Sequence, residues 1–439
     1  MLKHPSPGRR RFLKLSAALS LGPFLRISGR AAPPPKSLRI LQWSHFVPAF
    51  DQWFDHDFCK SWGEKHGVAV TVDHISVSDL PTRVAAEASA GSGHDIVLMN
   101  SPPAAFEALA MDHGDIYKEV RKRHGKPIDL ALKCTLNPVT GKHFAFSPSY
   151  TPVLGNFRID LFQQIGLPNG PDNWDELRTA VKKIRDKTGN PCGLGLSQEE
   201  DSNCVLRALL WSFGASESDE HGRVTINSPK TIEALKFMRA LHKESQVAEV
   251  FTWDSASNNR AMLSGRASYV FNGVSIARTA EKQNSQMAAK IGLCRPMAGP
   301  AARLAPPQPA SCYVIWQFSP NKDQAQQFLI DYASASGAAF RASEFYNLPC
   351  FPESVPDMMS QLANDPKAMP HDKYKALGLA AACTTNVGYP GYATPWADEV
   401  FRTYVIPTMF AKVARDMVTP EEAARLAEAE IHRIMRGKT

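Results

Sequence analysis

Residues 91–100 read Gly91-Ser92-Gly93-His94-Asp95-Ile96-Val97-Leu98-Met99-Asn100: a glycine turn, an acid, four consecutive apolar residues and an amide. A short apolar run between turn formers is the pattern of a strand buried on both faces, so a strand is predicted over 95–99, closed by Asn100. Upstream, 37–43 carries Leu38, Ile40 and Leu41 and reads as a second buried strand. Residues 68–75 alternate Val68, Val70 and Val72, the two-residue period of a strand with one open face. The segments between, 50–64 and 78–90, read as amphipathic helices. Strand and helix alternating in this order indicate βαβ units on a parallel sheet covered by helices. In such sheets ligands gather beyond the carboxyl ends of the strands, here Trp43-Ser44-His45-Phe46, the residues after Ile75, and Asn100-Ser101.

Further along, Pro148 and Pro152 make 144–152 an extended stretch that reads as a crossing between domains. A second α/β region follows. Helices are predicted at 174–187, at 203–213 and after Ser228-Pro229, with strands at 193–196 and 267–271, the latter ending in Asn272-Gly273. Five prolines between 296 and 309 mark a mobile connection leading to a strand at 312–318 and a helix opened by Ser319-Pro320-Asn321. Thr419-Pro420-Glu421-Glu422 is a capping box with proline at the first helical position, opening a last helix to Met435.

The chain has 439 residues and a formal net charge of +7, and the basic excess has one address. Seven Lys and Arg and no acid lie in the first 31 residues, so everything beyond is neutral. A bulk basic footprint for nucleic acid is therefore excluded. Arg9-Arg10-Arg11-Phe12-Leu13-Lys14, a short apolar stretch from Leu15 to Leu25, and Gly29-Arg30-Ala31 describe a cleavable export signal over 1–31. The Arg9-Arg10 order resembles the twin-arginine signal, which serves folded proteins; Gly8 stands where that pattern usually has Ser or Thr. The expected destination is the periplasm. The eight cysteines make disulfides plausible there, Cys192 and Cys204 being the nearest pair, with buried free thiols as the alternative.

Catalytic signatures are missing: there is no H-E-x-x-H, no G-x-S-x-G, and no glycine-rich phosphate cradle. No enzyme activity, cofactor or metal is expected. Aromatic and amide side chains instead collect in predicted strand-end loops: Trp43, His45, Phe46, Asn100, Tyr150, Asn272, Tyr389, Tyr392 and Trp396. Aromatic faces stack on the C–H faces of a sugar ring, and amides and carboxylates bond its hydroxyls. Glu200, in the acidic run 199–201, joins this set, although the run reads first as a solvated loop. Trp43 reads equally as a core cap, Asn272 as a helix cap, and His45 as an internally satisfied histidine.

The layout resembles the extracellular solute-binding proteins of ABC importers, the group that includes the maltodextrin-binding proteins. The pieces are Gly91-x-Gly93-x-Asp95, Asn156-Phe157-Arg158-x-Asp160, Asn173-Trp174-Asp175-Glu176-Leu177, Ser264-Gly265-Arg266-Ala267 running to Asn272-Gly273, Ser319-Pro320-Asn321, and Thr419-Pro420-Glu421-Glu422. The resemblance implies an α/β, two-lobed periplasmic-binding-protein fold (type II-like), the lobes joined by three hinge crossings. It places 37–148 plus 297–342 in one lobe and 149–296 plus 343–439 in the other. It further implies a small-molecule solute, a sugar or polyol, passed by a monomer to an ABC permease in the inner membrane. Asn100-Ser101-Pro102-Pro103 lacks the charged residues that maltodextrin binders carry there, and Ser275 stands where they have a stacking Trp, which favours a smaller solute. Two alternatives remain from other classes: a cofactor-carrying periplasmic enzyme, and a ligand sensor using the same clamp.

Overall fold

A computed structural model describes residues 36–437; the export signal expected at 1–31 lies outside them. Among the described residues ten strands form two sheets. They are β1 (Lys36–Trp43), β2 (Val68–Ile75), β3 (Ile96–Met99), β4 (Phe146–Pro152), β5 (Leu154–Arg158), β6 (Cys192–Gly193), β7 (Tyr269–Asn272), β8 (Ile291–Cys294), β9 (Pro307–Ile315) and β10 (Leu348–Pro349). The first sheet has the order β10-β4-β9-β3-β1-β2 and the second β6-β7-β5-β8. Helices used below are α1 (Leu80–Ala90), α2 (Trp174–Thr188), α3 (Glu200–Ser212), α4 (Ser257–Leu263), α5 (Pro395–Arg402) and α6 (Pro420–Arg436).

The opening βαβ units form as expected: β1 runs parallel to both β2 and β3. The helix expected at 50–64 runs from Pro48 to His66, with a π-helical stretch at Trp53–Cys59, and stops at Gly67, whose φ of 64° favours glycine. The sheet as a whole is mixed, because β9 returns antiparallel between β3 and β4. The 144–152 stretch is largely strand β4 of this first sheet, and the chain passes to the second sheet only at Val153. Likewise β9 begins at Pro307, inside the stretch expected to be mobile, and β10 joins the first sheet although 343 onward was assigned to the second lobe. Prolines tolerate these positions because the ladder ends there: Pro152 faces Pro307, where neither residue has an N–H to donate.

The glycine-acid motif of 91–95 has a mechanical reason. Asp95 accepts from the Arg39 backbone N–H (2.8 Å), Ser319 Oγ (2.6 Å) and Asn321 Nδ2 (3.1 Å), pinning β1, the start of β3 and the turn after β9 to one carboxylate. At Gly93 (φ 153°) a Cβ would run into the Glu87 carboxylate, which instead bonds the buried His94 at 2.7 Å. The Arg158-x-Asp160 motif acts similarly: the guanidinium grips Asp160 at 2.6 Å and reaches the Gly265 carbonyl at 3.1 Å, tying β5 to the turn before β7. Asn173 caps α2 through the Glu176 N–H, and Thr419 caps α6 through the Glu422 N–H, as the sequence signals require.

Two apolar cores result. One packs the first sheet and continues under the helices of one face of the second; the other lies on the opposite face of the second sheet, around Trp174, Trp211 and Met409. All eight cysteines are free thiols, so the bridge considered between Cys192 and Cys204 is absent; both sit fully buried in the second core. Among the described residues no helix is long and apolar enough to cross a membrane.

Candidate functional site

The C-terminal end of β3, the loop after β2 and the N-terminus of α3 meet around a cavity of about 290 Å³. Val77, Ser78, Pro81, Asn100 and Ser101 come from the side of the first sheet. Glu200, Ser255, Glu399 and the segment Phe401-Arg402-Thr403-Tyr404 complete the wall. The volume sits at the lower end of the ~300–1,000 Å³ typical of small-molecule pockets.

Glu199, Glu200 and Asp201 are not the solvated loop that their composition suggested. Glu199 is the N-cap of α3 and accepts from the Asp201 N–H (2.6 Å) and the Ser202 N–H (2.5 Å). Asp201 turns into the interior, where it accepts from Asn258 Nδ2 (2.6 Å), on α4, and from Gln308 Nε2, on β9. Glu200 faces the cavity and accepts from Asn100 Nδ2 at 3.0 Å. Burial pushes Glu199 and Glu200 up to about 7 and Asp201 well above the usual carboxylate range, with mutual repulsion adding to the last. The three acids are held by amides, hydroxyls and backbone N–H groups.

Beside them, Asp398 on α5 is fully buried, accepts from Ser101 Oγ (2.9 Å) and pairs with Arg402 Nε (2.9 Å). Tyr404 closes the wall in a left-handed conformation (φ 56°, ψ 38°), a strained backbone for an aromatic residue, costing about 1–3 kcal/mol. Its phenol is pushed up to about 12 by burial and by Glu200 and Glu199.

The residues expected from the sequence divide among four places. Asn100 and Glu200 share this cavity. Tyr392 and Trp396 line a second one, about 250 Å³, between the Asn137-Pro138-Val139 turn and the Ser218–Gly222 turn, with Glu107 and Glu220 on its wall. Trp43, His45 and Phe46 form an aromatic cluster with Tyr346, the Trp43 and His45 rings stacked at 4.9 Å. His45 has no ring nitrogen left for a ligand: Nδ1 accepts from the Val47 N–H (2.9 Å) and Nε2 meets Asn347 Oδ1 (3.4 Å). Burial holds its pKa down, to about 4, so the ring is neutral. The remaining three line neither cavity. Tyr150 is buried within β4, and Tyr389, half-buried, packs its ring on Trp211 at 5.3 Å. Asn272 donates to Asn258 Oδ1 (3.1 Å) and Asn259 Oδ1 (2.7 Å) and accepts from Gly273 N–H (2.6 Å), so it bridges α4 and the turn after β7.

Sequence reading placed Ser101 at a strand end without making it a candidate, and missed Ser78, Ser255, Asp398, Arg402 and Tyr404. The Asp398/Arg402 spacing of four was a visible signal for an ion pair on one helix face. Among the described residues no group of three His, Cys, Asp or Glu side chains could hold a metal ion.

The sequence model for bacterial extracellular solute-binding proteins matches residues 57–422. The chain belongs to that family. A "Probable ABC transporter-binding protein" of Deinococcus radiodurans is 28% identical over 193 residues, covering 42% of this chain and 44% of that protein. The chain thus matches under half the length of this curated relative. The two-sheet α/β architecture is the periplasmic-binding-protein fold. A solute-binding protein of Thermotoga lettingae bound with α-D-tagatose superimposes with a TM-score of 0.74 at 20% identity, covering 91% of this chain and 99% of that one. Maltose-bound MalE3 of T. maritima gives 0.74 at 19% identity, with coverage of 91% and 99%.

Proposed function

We propose that this solute-binding protein captures an uncharged sugar or polyol in the cavity between β3 and α3 and delivers it to an inner-membrane ABC permease. The observation that carries the reading is the Asn100–Glu200 hydrogen bond, 3.0 Å long, made in the cavity wall by residues from the end of β3 and the start of α3. A ligand hydroxyl entering there accepts from Asn100, donates to Glu200 and joins the two sides. Ser78, Ser101 and Ser255 offer further hydroxyl partners, and the Tyr404 ring offers a face for C–H stacking. The carboxylates at α3 favour a neutral solute over an anion. Sugars in the two structural neighbours agree in chemical class.

No bond is made or broken in this scheme. A solute touching both sides favours the closed arrangement, because only there are all its contacts made. The hinge lies where the chain crosses between the two halves, at Val153, between β8 and β9, and after β10 on the way to the helices of the second core. The protein works as a monomer in the periplasm after its first 31 residues are removed. A thermal-shift screen of monosaccharides, disaccharides, polyols and sugar phosphates tests the reading. Stabilisation by a neutral member supports it; stabilisation only by amines, peptides or metal complexes overturns it.

A further inference from the structure

Seven of the eight cysteines are buried, and Cys383 is partly so, yet none is paired. They are divided between the two apolar cores, four in the first and three in the second. Cys134, Cys312 and Cys350 form a fully buried trio where β4, β9 and β10 meet, close enough that Cys350 pushes up both of the others and Cys134 pushes up Cys312. Thiol–disulfide exchange requires a thiolate that can reach its partner. The folded core denies both conditions: no solvent reaches these sulfurs, and burial pushes Cys294 and Cys350 up to about 12.

An unfolded chain has neither protection. Its thiols return to a pKa near 8.5 and can pair in about a hundred complete ways. In exchange with a periplasmic thiol oxidase, two cysteine thiols become one disulfide while the oxidase disulfide is reduced to a dithiol. Bridges such as Cys59–Cys204 would tie together residues that the fold keeps in separate cores, and a disulfide cannot span such a gap without moving the backbone.

We propose that this protein completes its fold in the reducing cytoplasm and is handed folded to its exporter, because its buried free thiols make passage as an unfolded chain destructive. The partner this implies is a translocase for folded proteins, the class that the Arg9-Arg10 signal resembles. The inference rests on the export reading and is independent of which solute is bound.

The full chain is produced in a bacterial host with its own leader or with one for the general secretory route, each in hosts with and without the periplasmic thiol oxidase. Thiols are counted by alkylation and mass spectrometry before and after denaturation. With its own leader, the exported protein labels chiefly at Cys383 when native and at all eight cysteines when denatured. By the general route in the oxidase-containing host, fewer than eight thiols label, disulfide-linked peptides appear and folded yield falls severalfold; removing the oxidase restores both. Eight free thiols and undiminished yield by the general route overturn the proposal. So does a yield loss that persists without the oxidase while all eight thiols stay free, and so do disulfides in protein exported by its own leader.

Discussion

Asn100, at the end of β3, donates its side-chain amide to Glu200, in the first turn of α3, across 3.0 Å and between residues a hundred positions apart. Two polar groups thereby meet at a cavity whose other walls include three serines, Glu399, Arg402 and Tyr404. Replacing Glu200 with Ala removes an acceptor for both Asn100 and the solute. Affinity is expected to fall about tenfold to a hundredfold, the cost of roughly 1.5–3 kcal/mol for a charge-assisted bond. Titration calorimetry on the solute found in the screen measures it.

Anionic analogues should bind poorly. A sugar phosphate placed beside Glu200, with Glu199 and Asp201 behind it, brings like charges together in a partly buried site. Its affinity is expected to lie at least tenfold below that of the parent sugar at pH 8. The gap narrows at pH 6, where Glu199 and Glu200, pushed up to about 7, take up protons. Competition between sugar and sugar phosphate at the two pH values tests this.

The pH dependence of stability has two opposed arms. His45 and His113 have folded pKa values near 4 against 6.5 unfolded, both from burial, so the unfolded chain binds more protons between those values. Stability from this source is complete above 6.5 and is lost as pH falls toward 4. Glu199 and Glu200 act in reverse: their folded pKa near 7 exceeds the unfolded 4.5, so their contribution is complete below 4.5 and is lost as pH rises through 7. Thermal melts from pH 4 to 8 should show that Glu200→Gln flattens the decline between 5 and 8 and leaves the acid arm in place.

Tyr404→Asn separates ring from backbone. Asparagine tolerates the left-handed conformation better than tyrosine, so the melting temperature should hold or rise slightly. Loss of the stacking face should weaken sugar binding by about twofold to tenfold, in line with roughly 0.5–1.5 kcal/mol for aromatic contacts. His45→Ala is the converse case: it empties a buried site and lowers stability, while affinity stays within about twofold.

Asp95→Ala should be among the most damaging single changes in the first sheet. It strands the Arg39 N–H, Ser319 and Asn321 donors at once, and an orphaned buried donor costs about 1–3 kcal/mol. A loss of about 3 kcal/mol or more in urea unfolding, without loss of affinity in the protein that remains folded, is the expected result.

The strands and helices up to Asn100 were readable because their cause is local: apolar periodicity, glycine turns and caps. The acidic run at 199–201 was misread for the opposite reason. What holds it in the interior, Asn100, Asn258 and Gln308, lies 57 to 107 residues away in sequence. His45 finds its partner Asn347 302 residues downstream, which no window of sequence can show. Asn100 and Glu200 were nevertheless both legible as candidates, one as a strand-end amide and the other as the second reading of an acidic run, a binder of hydroxyls. Tyr389 shows the limit of that logic, since a tyrosine between glycines can lay its ring on a neighbour as large as Trp211 and line neither cavity.

The most direct measurement is a crystal structure with the neutral solute that the screen identifies. The account predicts sugar or polyol density between β3 and α3, with a hydroxyl replacing the direct Asn100–Glu200 bond and the ring against Tyr404. Solute bound only beside Tyr392 and Trp396, or an amine, peptide or metal complex where the sugar should be, would contradict it.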